Sequence, residues 1–239
     1  MQLIKLDATE STNVYLKNLF SNIDLDDFTT VMSKYQTDGK GQFGNRWCSE
    51  KGKNLLISVL KKNIDLKIDD QFYLNMRVAL AVLMTLKFFR VPKLSIKWPN
   101  DILSYNKKIS GLLIQSITKK KHIKHVIIGL GINVNQTSFE NLPKATSMKL
   151  ILNNCVDIEK LRLKFIDQLK YYLSLQNNLE ISRTYHGLLY KNGEECNFKA
   201  KGGSFFQAKI IGVSVNGKLK TTVGGLYREF DLKSIEMIY

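Results

Sequence analysis

Gly39-Lys40-Gly41-Gln42-Phe43-Gly44 spaces its glycines like a dinucleotide-binding fingerprint. That fingerprint requires its third glycine to open a helix, whose N-terminal N–H groups then hold a pyrophosphate. Here Gly44 leads into Asn45-Arg46-Trp47-Cys48-Ser49-Glu50, then Gly52 and a short apolar run, so no helix is expected. A Walker-type loop is excluded as well, because no Gly-Lys-Ser/Thr closes the motif. What remains is a strand–loop–strand in which bare backbone lets a ligand come close, while Lys40 and Arg46 supply positive charge. That chemistry suits an anion, although a flexible glycine hairpin on the surface explains this stretch equally well.

Three further constellations carry chemistry. In Lys97-Trp98-Pro99-Asn100-Asp101-Ile102 a strand runs into a proline and delivers Asn100 and Asp101 at its mouth, on a rigid scaffold. Lys108 stands three residues before Gly111. In Ile127-Ile128-Gly129-Leu130-Gly131-Ile132-Asn133-Val134-Asn135 a strand too apolar for the surface is broken by two glycines, which mark close approach by another backbone or a ligand. Taken singly, each has an ordinary structural explanation, as a bulge or a turn.

Taken together and in this order, with Ser11-Thr12-Asn13 and Tyr35-Gln36 before them, these motifs resemble the biotin protein ligases over nearly the whole chain. The resemblance implies ATP-dependent activation of biotin to biotinyl-adenylate and transfer of the acyl group to a lysine of a biotin carboxyl carrier protein. It implies Mg²⁺ arriving with ATP and no dedicated metal site. Ser11, Thr12, Asn13 and Gln36 then match the biotin-ring end, where a neutral urea needs donors and acceptors. Gly39, Lys40, Gly41 and Gln42 match a loop closing over biotin and the adenylate. Lys108 matches the family's central lysine, bridging carboxylate and phosphate. Gly111, Gly129 and Gly131 would line the pocket and leave space for the bicyclic ring. Arg46, Trp47 and Asn133 fall near the nucleotide, and Asn100 and Asp101 face the reaction centre.

This sequence departs from the family in places. Lys40 stands where arginine is frequent, which keeps charge and loses a bidentate fork. Gln42 also replaces an arginine found in some members, Gln115 sits at a commonly acidic position, and Phe43 adds an apolar tip expected to pack over bound ligand. Repressor members carry an N-terminal helix-turn-helix module; a chain starting at the catalytic region is expected to act without that DNA-binding role. The nearest alternative is a lipoate or octanoate ligase or transferase of the same fold, whose fatty chain wants an apolar tunnel. A nucleic-acid-binding module is the alternative of another class.

The elements that must position these residues follow from the rest of the sequence. The chain has 239 residues with 44% hydrophobic content, enough for a sizeable core. A helix is expected after a cap at Ser11 or Thr12, a strand over Thr29–Gln36, and a buried strand in Lys53–Lys61. A core helix with Phe72, Met76, Leu80, Leu83 and Met84 at helical spacing follows Asp69 or Asp70 and stops before Pro92. Four closely spaced strands, Leu94–Trp98, Ile102–Ser104, Lys108–Ser116 and His125–Val134, imply antiparallel neighbours in a mixed sheet. Helices over Asp157–Leu175 and to about Tyr185 come next. After Gly193, short alternating pieces divided by Gly202-Gly203, Asn216-Gly217 and Gly224-Gly225 suggest a small β-barrel.

The expected fold is therefore α+β. A mixed sheet with helices packed on it, class II synthetase-like by resemblance, occupies 1–190, and an SH3-like barrel occupies 191–239. The formal net charge of +15 is lysine scattered in short runs, which biases the surface toward acidic partners such as a carrier domain. No DNA-binding motif accompanies it. Cys48, Cys155 and Cys196 are far apart and odd in number, and the opening is too charged for a signal peptide. A cytoplasmic protein without a membrane segment is expected. By resemblance, sheet edges can pair two copies into a homodimer.

Overall fold

The computed structural model of the protein describes residues 2–140 and 142–238. It opens on β1 (Leu3–Leu6), a strand that sequence patterning does not announce, lying parallel to β2 (Thr30–Ser33). Between them runs α1 (Thr12–Asn22). Ser11 is its N-cap, yet the Ser11 hydroxyl makes no capping bond; Thr12 N–H donates instead to Gln36 Oε1 at 2.8 Å. A residue far along the chain thus satisfies a free N–H of the first turn and leaves the buried Ser11 side chain for other use. The strand expected over Thr29–Gln36 ends at Ser33, and Gln36 keeps only an isolated bridge to Thr9.

The apolar run after the glycine loop forms β3 (Leu55–Lys61), followed by the two-residue β4 (Leu66–Lys67) and the long core helix α2 (Gln71–Phe88). Then come β5 (Leu94–Lys97), β6 (Asp101–Ser104), β7 (Lys107–Lys119) and β8 (His122–Ile132). The main path of the sheet runs β1-β2-β3-β8-β7-β6-β5 with β4 beside β8, and every pair except β1–β2 is antiparallel. The β5–β8 neighbours are antiparallel, as their short turns implied, and the parallel β1–β2 pair makes the sheet mixed. His122 and His125 both lie on β8. Among the described residues no group of three or more metal-ligating side chains gathers.

Strand alternation divides the core. Ile57 and Val59 of β3 and Val126, Ile128 and Leu130 of β8 belong to the large buried cluster. That cluster also holds α2 and α4 (Ile158–Ser174), the latter capped by the Asp157 carboxylate accepting from Glu159 and Lys160 N–H. Leu60 and Ile127 point to the opposite face and pack with Val31 and Leu16 of α1. A short helix, α3 (Met148–Leu152), precedes α4 and was not expected; five residues carry too little periodicity to be read. α5 (Asn178–Gly187) completes the helices.

A second, five-stranded antiparallel sheet comprises β9 (Glu195–Ala200), β10 (Phe205–Val213), β11 (Leu219–Val223), β12 (Leu226–Phe230) and β13 (Ile235–Ile238). It has the architecture of an SH3-like domain, and it shares one buried cluster with the main sheet: Phe198, Ile210 and Leu219 belong with Phe72 and Tyr185. Trp98 Nε1 donates to Gly217 O at 2.9 Å, tying the end of β5 to the Asn216-Gly217 turn. Among the described residues no helix is long and apolar enough to cross a membrane, and all three cysteines are free.

Gly217 has φ +86°, and a Cβ there would lie 2.6 Å from Phe72 Cδ2. Gly217→Ala meets both left-handed strain and overlap with the core helix, so it should destabilise the protein by about 2 kcal/mol or more in urea unfolding. A loss below about 0.5 kcal/mol, the usual effect of a surface substitution, would mean the turn is not docked as described.

Candidate active site

Cβ-free backbone in the middle of the sheet creates the site. β7 and β8 set Gly111 opposite Gly131, and β3 and β8 set Ser58 opposite Gly129. A Cβ at Gly129 would collide with the Asn13 carboxamide, and one at Gly131 with the Trp47 indole. At Gly111 it would meet Trp47 Cζ3 at 2.9 Å and Lys108 Nζ at 3.3 Å. Gly111, Gly129 and Gly131 line a cavity with bare backbone, as expected, and the protein's own Asn13 and Trp47 also rest against them. Glycine is required here, because the side chains from α1 and the glycine loop reach the sheet only where no Cβ stands.

Two cavities meet at Trp47. The larger, of about 530 Å³, has Ser11, Thr12, Asn13 and Gln36 at one end and Lys97, Asp101 and Lys108 elsewhere in its lining. The smaller, of about 310 Å³, is lined by Cys48, Asn133, Phe139 and Lys144, with Arg46, Trp47 and Lys108 shared between the two. Trp47 and Lys108 thus border both cavities. Lys108 Nζ lies 2.7 Å from Asp101 Oδ1 and 5.4 Å from the centre of a Trp47 ring. A register shift between β6 and β7, next to Ile102 and Leu103, brings these residues close, pairing Asp101 with Gly111 and Leu103 with Lys108. Lys97 is largely buried; desolvation pushes its ammonium pKa down, and the nearby Asp101 charge opposes that.

The glycine loop is closed at its base by Trp47 N–H donating to Gly39 O at 2.8 Å and by Gly41 N–H donating to Asn45 O at 2.7 Å. Gly39 has no room for a side chain, since a Cβ would lie 2.9 Å from Gln36 Nε2 and nearer still to Trp47 O. Gln42–Gly44 form one 3₁₀ turn, not a helix. The positive charge expected of Lys40 and Arg46 is met within the loop, because Lys40 pairs with Asp38 and Arg46 Nε lies 3.4 Å from the same carboxylate. Hydrogen bonding from Lys40 holds the Asp38 carboxyl below the usual range. Phe43 borders the larger cavity, with Lys233 Nζ from the turn between β12 and β13 4.8 Å from the centre of its ring.

Asn100 lines the larger cavity, but its Nδ2 donates to Leu112 O at 2.6 Å and its carbonyl accepts from Leu112 N–H at 3.0 Å. It clamps the Pro99 turn, which follows a cis Trp98–Pro99 peptide, to β7. Asn133 is buried and donates through Nδ2 to Thr146 O at 2.9 Å, fixing the wall of the smaller cavity. Sequence reasoning missed Asp38, Ser58 and three residues of the C-terminal region, Lys201, Lys233 and Glu236, the last three of which border the larger cavity. Asp38 carries a local signal, two residues before Lys40. The others carry none, because they reach the site through long-range folding.

The sequence pattern of the Biotin/lipoate A/B protein ligase family matches residues 6–133, more than half of the chain. The bifunctional ligase/repressor BirA of Bacillus spizizenii is 29% identical over 227 residues, covering 91% of this chain and 68% of the relative. The biotin–[acetyl-CoA-carboxylase] ligase of Mycobacterium tuberculosis is 25% identical, covering 94% of this chain and 84% of its own. Among solved structures, the biotin protein ligase from Aquifex aeolicus in complex with biotin and ATP superposes with a TM-score of 0.83 at 24% identity, covering 99% of both chains. A Cβ-free floor, a polar recess and a lysine bordering two cavities thus occur within a matched sequence pattern: the chain belongs to the biotin/lipoate A/B protein ligase family.

Proposed function

We propose that this protein joins biotin to ATP, giving biotinyl-adenylate and pyrophosphate, and then passes the biotinyl group to a lysine of a biotin carboxyl carrier protein. The observation that carries this reading is Lys108, a residue that borders both cavities and whose ammonium lies 2.7 Å from Asp101. Adenylation brings two anions together: a carboxylate oxygen attacks the α-phosphorus, and pyrophosphate departs with the electron pair of the broken P–O bond. A cation that touches both reactants offsets their repulsion and the charge gathered in the transition state. Biotin fits the larger cavity with its neutral urea against Ser11, Thr12, Asn13 and Gln36, a recess of hydroxyls and carboxamides with no charged group among those four. A lipoyl or octanoyl chain would leave these polar groups unpaired.

ATP fits the smaller cavity beside Asn133, Trp47 and Arg46, with its phosphates toward Lys108. Lys40, paired with Asp38 as the loop stands, is placed at the larger cavity to contribute a second cation if an anion displaces that carboxylate. Mg²⁺ is suited to arrive on the nucleotide, since the described residues hold no acid cluster to cage a resident ion. Asp101 is the carboxylate beside Lys108 that would meet it, and the ion would shield phosphate charge. In the second step the acceptor amine attacks the acyl carbon and AMP leaves. Asp101, once freed from Lys108, is placed to accept the proton that the amine sheds. An acidic carrier matches the +15 charge of this chain.

Mixed with ATP, Mg²⁺, biotin and a carrier domain, the protein should label the carrier with biotin. Lys108→Ala should slow biotin-dependent pyrophosphate release by about a hundredfold or more. Full turnover in that variant would remove the central role given to the ammonium. Transfer to an acidic carrier should slow by about tenfold or more from low to high ionic strength, read as initial rate at subsaturating carrier. A flat response would mean that surface charge does not guide the encounter.

A further inference from the structure

Beneath the polar recess lies Ser58, fully buried on β3 and absent from the lining of both cavities. Its Oγ is 2.5 Å from Asn13 Oδ1 and 2.7 Å from Thr12 Oγ1. A hydroxyl has one proton and two lone pairs, so the direction of each bond can be worked out. Asn13 Nδ2 faces two acceptors, Leu113 O at 3.1 Å and Gln115 Oε1 at 3.4 Å, which fixes Oδ1 as the atom turned toward Ser58. A carboxamide oxygen only accepts, so the Ser58 proton goes to Asn13. The Thr12 hydroxyl then has two protein acceptors for its own proton, Ser58 Oγ and, at 3.0 Å, Gln36 Oε1. Whichever takes it, Thr12 turns a lone pair toward the cavity.

We infer that Ser58 is a positioning residue that sets the polarity of the recess, making Thr12 an obligate acceptor for a ligand N–H and locking the Asn13 carboxamide over Gly129. This rests on the proposed biotin activity and adds a cause for its selectivity: a ureido head brings N–H donors, a dithiolane or alkyl head brings none. Without the Ser58 hydroxyl, the Thr12 hydroxyl is free to turn and the Asn13 carboxamide loses the donor that fixes its orientation. Gln115 supports the same arrangement from β7 by accepting from Asn13 Nδ2.

The test compares biotin with biotin methylated on both ureido nitrogens, in wild type, Ser58→Ala and Ser58→Thr, reading KM and kcat by pyrophosphate release. Wild type should prefer biotin by about tenfold or more in KM, since a recess that accepts N–H is left unpaired by the methylated head. Ser58→Ala should raise KM for biotin about tenfold, shrink that preference, and leave kcat and KM for ATP within about twofold. Ser58→Thr, which restores the hydroxyl, should recover the preference. A KM that rises equally for both ligands, or a parallel rise for ATP, would assign Ser58 a merely structural role and overturn the inference. If Ser58→Ala does not fold, wild type decides alone, since equal KM values for the two ligands overturn it. Absence of biotin-dependent pyrophosphate release in wild type would overturn the activity as well, whereas an unchanged preference in an active enzyme sinks only this proposal.

Discussion

The absence of three Cβ atoms governs this site. Gly111, Gly129 and Gly131 leave the middle of the main sheet bare, and the start of α1 and the glycine loop descend onto it through Asn13 and Trp47. A methyl group at Gly129 or Gly131 would occupy space already taken by those side chains. From this contact follow the two cavities, their meeting at Trp47, and the placement of Lys108 beside both. Interiors are close-packed, so an indole resting on backbone cannot be raised by one methyl without moving its loop.

Electrostatics act within that frame. Lys108 and Lys97 stand near one carboxylate, Asp101, while Lys40 and Arg46 share another, Asp38. Cations placed for anionic reactants are thus partly matched to protein carboxylates. The Asp38 pairs are solvent-exposed and of the kind that contributes little to stability, so they can be exchanged for phosphate or carboxylate contacts at little cost. The Lys108–Asp101 pair is more enclosed and is the one on which the proposed chemistry turns.

Much of the fold was legible because its elements are long and regular. α2, α4, β3 and the β5–β8 series were readable from apolar periodicity and turn residues, and the second sheet from Asn216-Gly217 and its paired glycines. β1 and α3 were not, being too short for a pattern to form. At the site, residue types and order named residues that the fold gathers around the larger cavity, its three glycines included; that Asn13 and Trp47 also rest on those glycines was not legible, because neither lies near them in sequence. Phe43 shows the same limit, since its partner Lys233 lies far along the chain. Ser58 was invisible for a different reason. One serine inside Leu55-Leu56-Ile57-Ser58-Val59-Leu60 looks like a tolerated polar residue until its register against Gly129 is known.

Gly131→Ala, followed by tryptophan emission and by biotin binding in calorimetry, tests the central claim most directly. The new methyl should force Trp47 off the sheet, shifting emission to longer wavelength and weakening biotin binding by about tenfold or more, since overpacking a filled site costs about 1–3 kcal/mol. An unchanged spectrum together with unchanged biotin affinity would contradict the account, because the indole would then not be resting on that glycine.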